Sequence, residues 1–282
     1  MKTFRIGVLS TFRDQEALTL FQAMHRACEA GFIQGRISFV FSNRERGEFP
    51  ETDDYLSEVE QSGIPLLCYS SRRFKPDERR RGRDDPELLE RWRVKYDRAG
   101  PDPAAREYAP DIIVLSGYML ILGSEMCAKW QMINLHPALP WGPKGSWEEV
   151  VWELMRTGQK ETGTMMHLVT RDLDRGPPIS FYRVSLEDLK PLWDEWKQRL
   201  AHEDFERVKK AEYRSNRLFL AIREKQVRGE TPLILLTLKY ISEGVIEIRR
   251  EGGERKIYTH GASCPHGMRI DADVESYLNQ HA

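Results

Sequence analysis

The chain has 282 residues, a 40% hydrophobic share and 43 basic against 44 acidic side chains, for a net charge of -1. That composition excludes a disordered chain and offers no global electrostatic argument for nucleic acid or an anionic membrane. The length admits one large domain, or one domain with a modest appendage. Cys28, Cys68, Cys127 and Cys264 are too far apart for a disulfide framework or a zinc knuckle. The stretch from Met1 to Arg5 lacks the apolar core of a signal peptide, and no run approaches the roughly 20 apolar residues of a spanning helix. A reducing cytoplasm is the expected compartment, with no membrane partner.

The first half alternates short β-rich runs with helical segments. Arg5–Ser10 reads as a buried strand. Asp14–Ala30 reads as a helix with Ala17, Leu18, Phe21, Met24 and Cys28 on one face, closed by Gly31 as a left-handed cap. Ile37–Phe41 is a second strand, Asp53–Gln61 a helix and Ile64–Cys68 a third strand. Asp111–Ser116 is a fourth, nearly all apolar as a strand covered on both faces requires, and Met132–His136 is a fifth. Strands alternating with helices imply right-handed crossovers and a mostly parallel sheet.

Between Ser70 and Gly100 the pattern breaks. Arg72-Arg73-Phe74-Lys75 and Arg79-Arg80-Arg81-Gly82-Arg83 are followed at once by Asp84, Asp85 and Glu87. Acids beside the bases favour a solvated loop over an anion site or polynucleotide patch. Leu88, Leu89, Trp92 and Tyr96 then recur at helical spacing. Further on, Thr164–Val169 and Ile179–Val184 read as strands joined by a turn at Asp174–Pro178. A long charged helical region runs from Leu189 to about Arg228, then a helix over Pro232–Ser242 and a hairpin pairing Val245–Arg249 with Lys256–Thr259. The expected architecture is α/β, a mostly parallel twisted sheet flanked by helices, Rossmann-type, with a C-terminal helical extension and a small hairpin. Residues 1–188 form the expected main domain, with 189–282 packed on it.

Asn134 and His136 end an apolar run, and in a strand alternate side chains share a face. Pro137 biases His136 toward an extended conformation, so the strand ends there. Beyond the carboxyl ends of parallel strands lies the usual ligand crevice, where an amide and an imidazole can bind an oxygen that turns negative during acyl transfer. A histidine merely satisfied by its own fold is the competing reading for His136. Asp174 lies in a turn shaped by Gly176 and Pro177, and a carboxylate held against an imidazole favours its protonated form. An aspartate stabilising its own turn is the competing reading there. Cys264-Pro265-His266 reads as a surface turn rather than a metal site.

Asn134-Leu135-His136-Pro137-Ala138-Leu139-Pro140 resembles the signature of folate-dependent formyltransferases, in particular the glycinamide ribonucleotide (phosphoribosylglycinamide) group. Thr164–Ile179 resembles the second signature, and Pro110–Leu122 the family's folate-side segment. Phe41-Ser42-Asn43-Arg44 is similar to its second strand and loop. The resemblance runs in register from about residue 5 to 184, with an echo at 230–244. It implies 10-formyltetrahydrofolate as co-substrate, a small amine as acceptor and no metal. It gives catalytic roles to Asn134, His136 and Asp174. The pterin is expected on backbone groups near Leu120, Leu122 and the Asp174 loop, against apolar walls from Met119, Ile121 and Leu122. The acceptor is expected near Ser10, Thr11, Arg13 and Glu230, the last as the first residue of a helix.

The chain also departs from the pattern. Ser10-Thr11-Phe12-Arg13 replaces a glycine-rich turn whose bare amides cradle the substrate phosphate in that group. The stretch after His136 is one residue tighter, and the 189–228 region is longer. Glycinamide ribonucleotide in purine biosynthesis is therefore the first acceptor considered and another amine, such as an amino sugar, the second. Hydrolysis of formyltetrahydrofolate ranks third among the enzymatic readings. The family's deformylases usually carry an extra N-terminal regulatory domain, whereas this sequence starts at its first expected strand. A binding module on a degenerate scaffold is the non-enzymatic alternative. Oligomeric state is not legible in the sequence.

Overall fold

The computed structural model describes residues 3–281; Met1 and Lys2, part of the N-terminal stretch considered above, and Ala282 lie outside them. In chain order the main elements are β1 (Phe4–Ser10), α1 (Gln15–Glu29), β2 (Gly35–Ser42), α2 (Pro50–Gln61), β3 (Leu66–Cys68), α3 (Pro76–Arg81), α4 (Pro86–Ala99) and α5 (Pro101–Tyr108). Then come β4 (Ile112–Leu115), α6 (Ser124–Lys129), β5 (Met132–His136), α7 (Trp147–Thr157), β6 (Glu161–Leu168), β7 (Pro178–Ser185), α8 (Lys190–Leu200), α9 (Phe205–Glu212) and α10 (Arg217–Ser242). The chain closes with β8 (Ile246–Glu251), β9 (Glu254–Thr259), β10 (Ala262–Ser263), β11 (Met268–Arg269) and α11 (Asp271–Gln280). No helix among the described residues is long and apolar enough to cross a membrane.

Two compact units emerge. The first runs to Asn134 and adds Leu168–Gly176 and Leu238–Gly244; the second comprises Leu135–His167, Pro177–Thr237 and the chain from Val245 on. In the first unit β1 pairs in parallel with both β2 and β4, β2 with β3, and β4 with β5. This is the parallel α/β pattern that the alternation of strands and helices predicts. Its core gathers Leu9, Phe39, Phe41, Trp92, Tyr96, Ile113 and Met132, all essentially buried. Asp14 caps α1 by accepting the Ala17 amide at 3.2 Å, and Gly31 takes the left-handed conformation at φ 70°.

The arginine-rich stretch is not a plain loop. It contains the short helix α3, and its charges are largely spent locally. Arg73 reaches Glu45, Arg80 pairs with Asp77, and Arg79 lies over the Trp92 ring. Asp85 then caps α4 by accepting the Glu87 and Leu88 amides at 3.0 Å. The amphipathic helix expected there is α4, which buries Trp92 and Tyr96 as a stacked pair 5.4 Å apart.

In the second unit β6 and β7 are antiparallel and β11 joins β7 in parallel, while β8, β9 and β10 form a separate antiparallel sheet. The region 189–228 is not one long helix. It folds as α8, α9 and the start of α10, and packs on α7 through Trp152, Trp196, Phe205 and Phe219 with ring separations of 5.4–6.1 Å. Ser146 and Glu149 form a capping box for α7, an i,i+3 signature present in the sequence although α7 is absent from the expected elements. The other correction is α10, which continues through Pro232 instead of restarting there. Proline forfeits one helical hydrogen bond, but Phe219, Ile222, Gln226, Leu233 and Leu236 are buried along α10, and packing outweighs the local loss. Gly229 permits that packing, since a Cβ there would lie 2.4 Å from the Tyr182 ring.

Candidate active site

Asn134, Asp174, the 10–13 loop and the 119–122 segment belong to the first unit; His136 and Glu230 belong to the second. Asn134 sits at the carboxyl end of β5, opposite Leu115 in the parallel ladder. His136, two residues on along the same strand, is only 2% exposed. Its Nε2 lies 2.9 Å from the Pro143 carbonyl. A carbonyl only accepts, so Nε2 carries a hydrogen, and proton exchange by this ring falls to Nδ1. The His167 ring meets His136 edge-on at 6.3 Å.

The chain just after His136 is held on both sides. The Ala138 amide donates to the His136 carbonyl at 2.9 Å, and the Gly142 amide to the Leu139 carbonyl at 2.8 Å. Gln226, fully buried on α10, donates to the Pro137 carbonyl at 2.8 Å and to Thr162 Oγ1 at 2.9 Å. The tight Trp141–Gly145 stretch thus supplies the partner of His136, and the helical region supplies a brace for Pro137. Neither Pro143 nor Gln226 is legible as a site residue in the sequence. A backbone carbonyl leaves no trace in residue type, and Gln226 lies 89 positions from its partner.

Asp174 occupies a turn with φ 53°, a left-handed conformation that aspartate tolerates better than most residues. The turn is tied by the Arg175 amide on the Asp172 carbonyl at 3.2 Å. Gly176 has a different purpose from that of a flexible turn residue. A Cβ there would fall 1.7 Å from the Leu168 carbonyl oxygen, so only a bare backbone fits.

After β4 the chain runs as an irregular segment without a ladder. Met119 and Ile121 are exposed at 58% and 38%, whereas Leu122 is buried in the core. The Met119 amide donates to Thr11 Oγ1 at 2.7 Å, and the Gly123 amide to Asp97 Oδ2 at 2.6 Å. Between them, no intramolecular hydrogen bond among the described residues engages the backbone of Leu120, Ile121 or Leu122. The side chains of Met119 and Ile121 can wall a ligand. Leu122 can offer only its backbone.

The β1–α1 loop closes on itself instead. Ser10 Oγ accepts the Phe12 amide at 3.0 Å, and the Thr11 amide donates to the Gly117 carbonyl at 3.1 Å. Phe12 is fully buried at φ 44°, and its carbonyl accepts from Thr52 Oγ1 at 2.8 Å. Ser10 and Thr11 therefore shape the loop from within. Arg13 stays exposed, 3.6 Å from Asp14. Arg44, at the end of β2, donates to Thr52 at 2.8 Å and stacks on Phe49 at 3.9 Å. Burial and then the charge of Arg13 lower its pKa, and Thr52 links it to the Phe12 carbonyl of the β1–α1 loop.

Glu230 lies within α10 rather than at a helix start, and its carboxylate bonds Arg223 at 2.5 Å. Burial pushes the thiols of Cys28 and Cys68 up to about 11, which keeps them protonated at neutral pH.

Known proteins resemble this chain in sequence and fold. Residues 15–210 match the formyl transferase family. The phosphoribosylglycinamide formyltransferase of Escherichia coli is 30% identical over 161 residues, covering 56% of this chain and 64% of that protein. The chain therefore aligns with a little under two thirds of that relative's length. Among solved structures, a phosphoribosylglycinamide formyltransferase from Coxiella burnetii superposes with a TM-score of 0.58 at 21% identity, covering 95% of this chain and 100% of the other. A formyltetrahydrofolate deformylase from Pseudomonas syringae gives 0.55 at 19% identity, over 92% of this chain and 66% of the other. With a family match over more than half its length, on a mostly parallel α/β fold that ends β5 in Asn-Leu-His, the chain belongs to the formyl transferase family.

Proposed function

We propose that this chain transfers a formyl group from 10-formyltetrahydrofolate to the primary amine of a small phosphorylated acceptor, with glycinamide ribonucleotide the first candidate. The observation that carries the donor side is the unpaired backbone of Leu120–Leu122, bounded by hydrogen-bonded amides and flanked by exposed Met119 and Ile121. A pterin is a flat heterocycle with alternating donors and acceptors. A stretch of open peptide groups between apolar side chains is complementary to it.

In this reading the amine attacks the formyl carbon, and the carbonyl oxygen becomes an oxyanion. Asn134 donates its amide hydrogen to that oxygen. His136, with Nε2 committed to Pro143, contributes through Nδ1, as a charged donor while protonated. Asp174 favours the imidazolium and helps move the amine's proton, a role assigned from its motif. Collapse of the intermediate expels tetrahydrofolate and leaves the formamide. No step calls for a metal. Residues 1–188 would carry the chemistry, with 189–282 supporting it.

The acceptor side rests on Arg13 and Arg44. Arg13 leaves the β1–α1 loop exposed and Arg44 is tied to the same loop through Thr52, so two guanidinium groups can serve a phosphate in place of the bare amides of a glycine-rich turn. The inward-turned hydroxyls of Ser10 and Thr11 and the buried Phe12 favour a second reading, in which the acceptor is another anionic amine. If Glu230 accepts a ribose hydroxyl, it does so as a carboxylate already paired with Arg223.

The test is 10-formyltetrahydrofolate consumption with glycinamide ribonucleotide, with amino-sugar phosphates and with no amine. Turnover that requires glycinamide ribonucleotide supports the first reading, and turnover only with another amine supports the second. Equal turnover in the absence of any amine would make the chain a hydrolase and defeat both.

A further inference from the structure

The segment after β4 has no sheet partner of its own, so side chains must hold it. At one end Thr11, only 4% exposed, accepts the Met119 amide. At the other end the work falls to α4, two of whose carboxylates reach consecutive amides. Glu90 Oε1 accepts the Ser124 amide at 2.7 Å, and Asp97 Oδ2 accepts the Gly123 amide at 2.6 Å. The approach is close. A Cβ on Gly123 would lie 2.9 Å from the Val94 amide nitrogen and 3.1 Å from Asp97 Oδ2.

Asp97 is an unusual residue to find here. It is 3% exposed, and its Oδ1 has no hydrogen-bond partner. The charged and titratable groups around it are Glu90, Arg93 and Tyr96 from its own helix, Asp102 from α5 and Tyr118 from the segment itself, and Arg106 of α5 with Glu125 and Lys129 of α6 line the same cavity. None of them neutralises it through a direct ion pair. Burial pushes its carboxyl up to about 7, against the opposing pull of the Gly123 amide. A half-satisfied buried carboxylate is costly.

We propose that Asp97 is a positioning residue for donor recognition: by holding Gly123 it keeps the backbone of Leu120–Leu122 unpaired and fixed for the heterocycle. This rests on the reading of that segment as the folate side. It does not rest on which amine is the acceptor.

The experiment compares Asp97→Ala and Asp97→Asn with the wild type in two independent readouts. Hydrogen–deuterium exchange over residues 119–124 in the ligand-free protein reports the clamp. The KM for 10-formyltetrahydrofolate against kcat reports its use. The expected result for Asp97→Ala is exchange faster by about tenfold or more, and a folate KM higher by about tenfold with kcat changed less than about twofold. Asp97→Asn keeps an acceptor oxygen and should recover most of both. The wild-type folate KM should fall between about pH 6 and 8, as Asp97 ionises into the stronger acceptor, while the Asn variant shows no such fall. Unchanged exchange in Asp97→Ala, or an Asn variant no better than Ala with kcat and KM shifted equally, overturns the proposal. Faster exchange in a chain whose wild type binds no folate would establish the clamp but sink the donor reading, and the proposal with it. Should Asp97→Ala fail to fold, Asp97→Asn still decides: a folate KM that keeps the wild-type fall between about pH 6 and 8 in that variant overturns the proposal.

Discussion

Two loops follow neighbouring parallel strands of the first unit and end as chemical opposites. The loop after β1 spends its polar groups inward, with Ser10 on Phe12, Thr11 on Gly117 and Met119, and Thr52 on Phe12. Only the Arg13 side chain remains outside. The segment after β4 is held by its ends and leaves its middle peptide groups unpaired. One loop therefore offers side-chain charge and the other offers backbone. On the proposed function that difference would divide the labour, the charged loop taking the anionic acceptor and the open backbone the heterocyclic donor. The two are tied together at Thr11, which belongs to the first loop and clamps the second.

The comparison breaks most sharply if chemistry and binding cannot be separated. Replacing Asn134, His136 or Asp174 by Ala should lower kcat by about 100-fold or more, with circular dichroism unchanged and both KM values within about threefold. Near-normal rates in all three purified variants would remove these residues from the mechanism.

Gly176→Ala tests whether the Asp174 turn depends on backbone contact. The added Cβ has no room beside the Leu168 carbonyl, so thermal unfolding should report a loss of roughly 2 kcal/mol or more. Activity should fall with it, because the turn carrying Asp174 must shift. An unchanged melting temperature would mean the turn yields without cost.

The charged loop is sharpened by Arg13→Ala and Arg44→Ala. Each should raise the acceptor KM by about tenfold and leave the folate KM alone. Met119→Ser should do the reverse by about fivefold, as expected for losing part of an apolar wall. Equal effects of all three on both substrates would erase the distinction between the loops.

The most gradual effect concerns pH. Asp97 is held protonated in the folded chain up to about 7, whereas the unfolded carboxyl ionises near its ordinary value. Over that window the folded state binds the extra proton. Stability should therefore fall as pH rises from about 4 to about 7, by up to roughly 1 kcal/mol per pH unit. Asp97→Asn should flatten that slope in denaturant titrations. A wild-type slope of the opposite sign, or one the variant keeps, would show that other groups govern it.

Much of the fold is legible in the sequence. β5 falls at Met132–His136 as its apolar run and Pro137 predict, and α1 lies between its Asp14 cap and Gly31. Local rules suffice there because strand alternation, capping and proline act within a few residues. The Asn-Leu-His and Asp-x-Gly-Pro motifs were equally visible. What the motifs could not disclose is why their glycine is needed. Gly176 answers to the carbonyl of Leu168, a close approach that chain composition does not record.

Beyond local range the sequence was silent or misleading. A proline at 232 argued for a helix boundary, yet α10 runs through it, because buried contacts along its length outweigh one missing hydrogen bond. Glu230 looked like a residue beginning a helix, and it is instead the partner of Arg223 in mid-helix. For the arginine cluster the neighbouring acids had pointed the right way: carboxylates at 45, 48, 77 and 78 and the Trp92 ring engage several of its cations, although the short helix α3 within it was not foreseen. By itself the sequence determined the alternation of strands and helices, the ends of the motif-bearing elements and the residue types available for acyl transfer. Only the tertiary structure decided that Nε2 of His136 is committed to Pro143, that Gln226 braces Pro137 and that Asp97 holds Gly123. Each of these joins a side chain to a backbone group, and nothing in a backbone group's residue type announces which side chain will meet it.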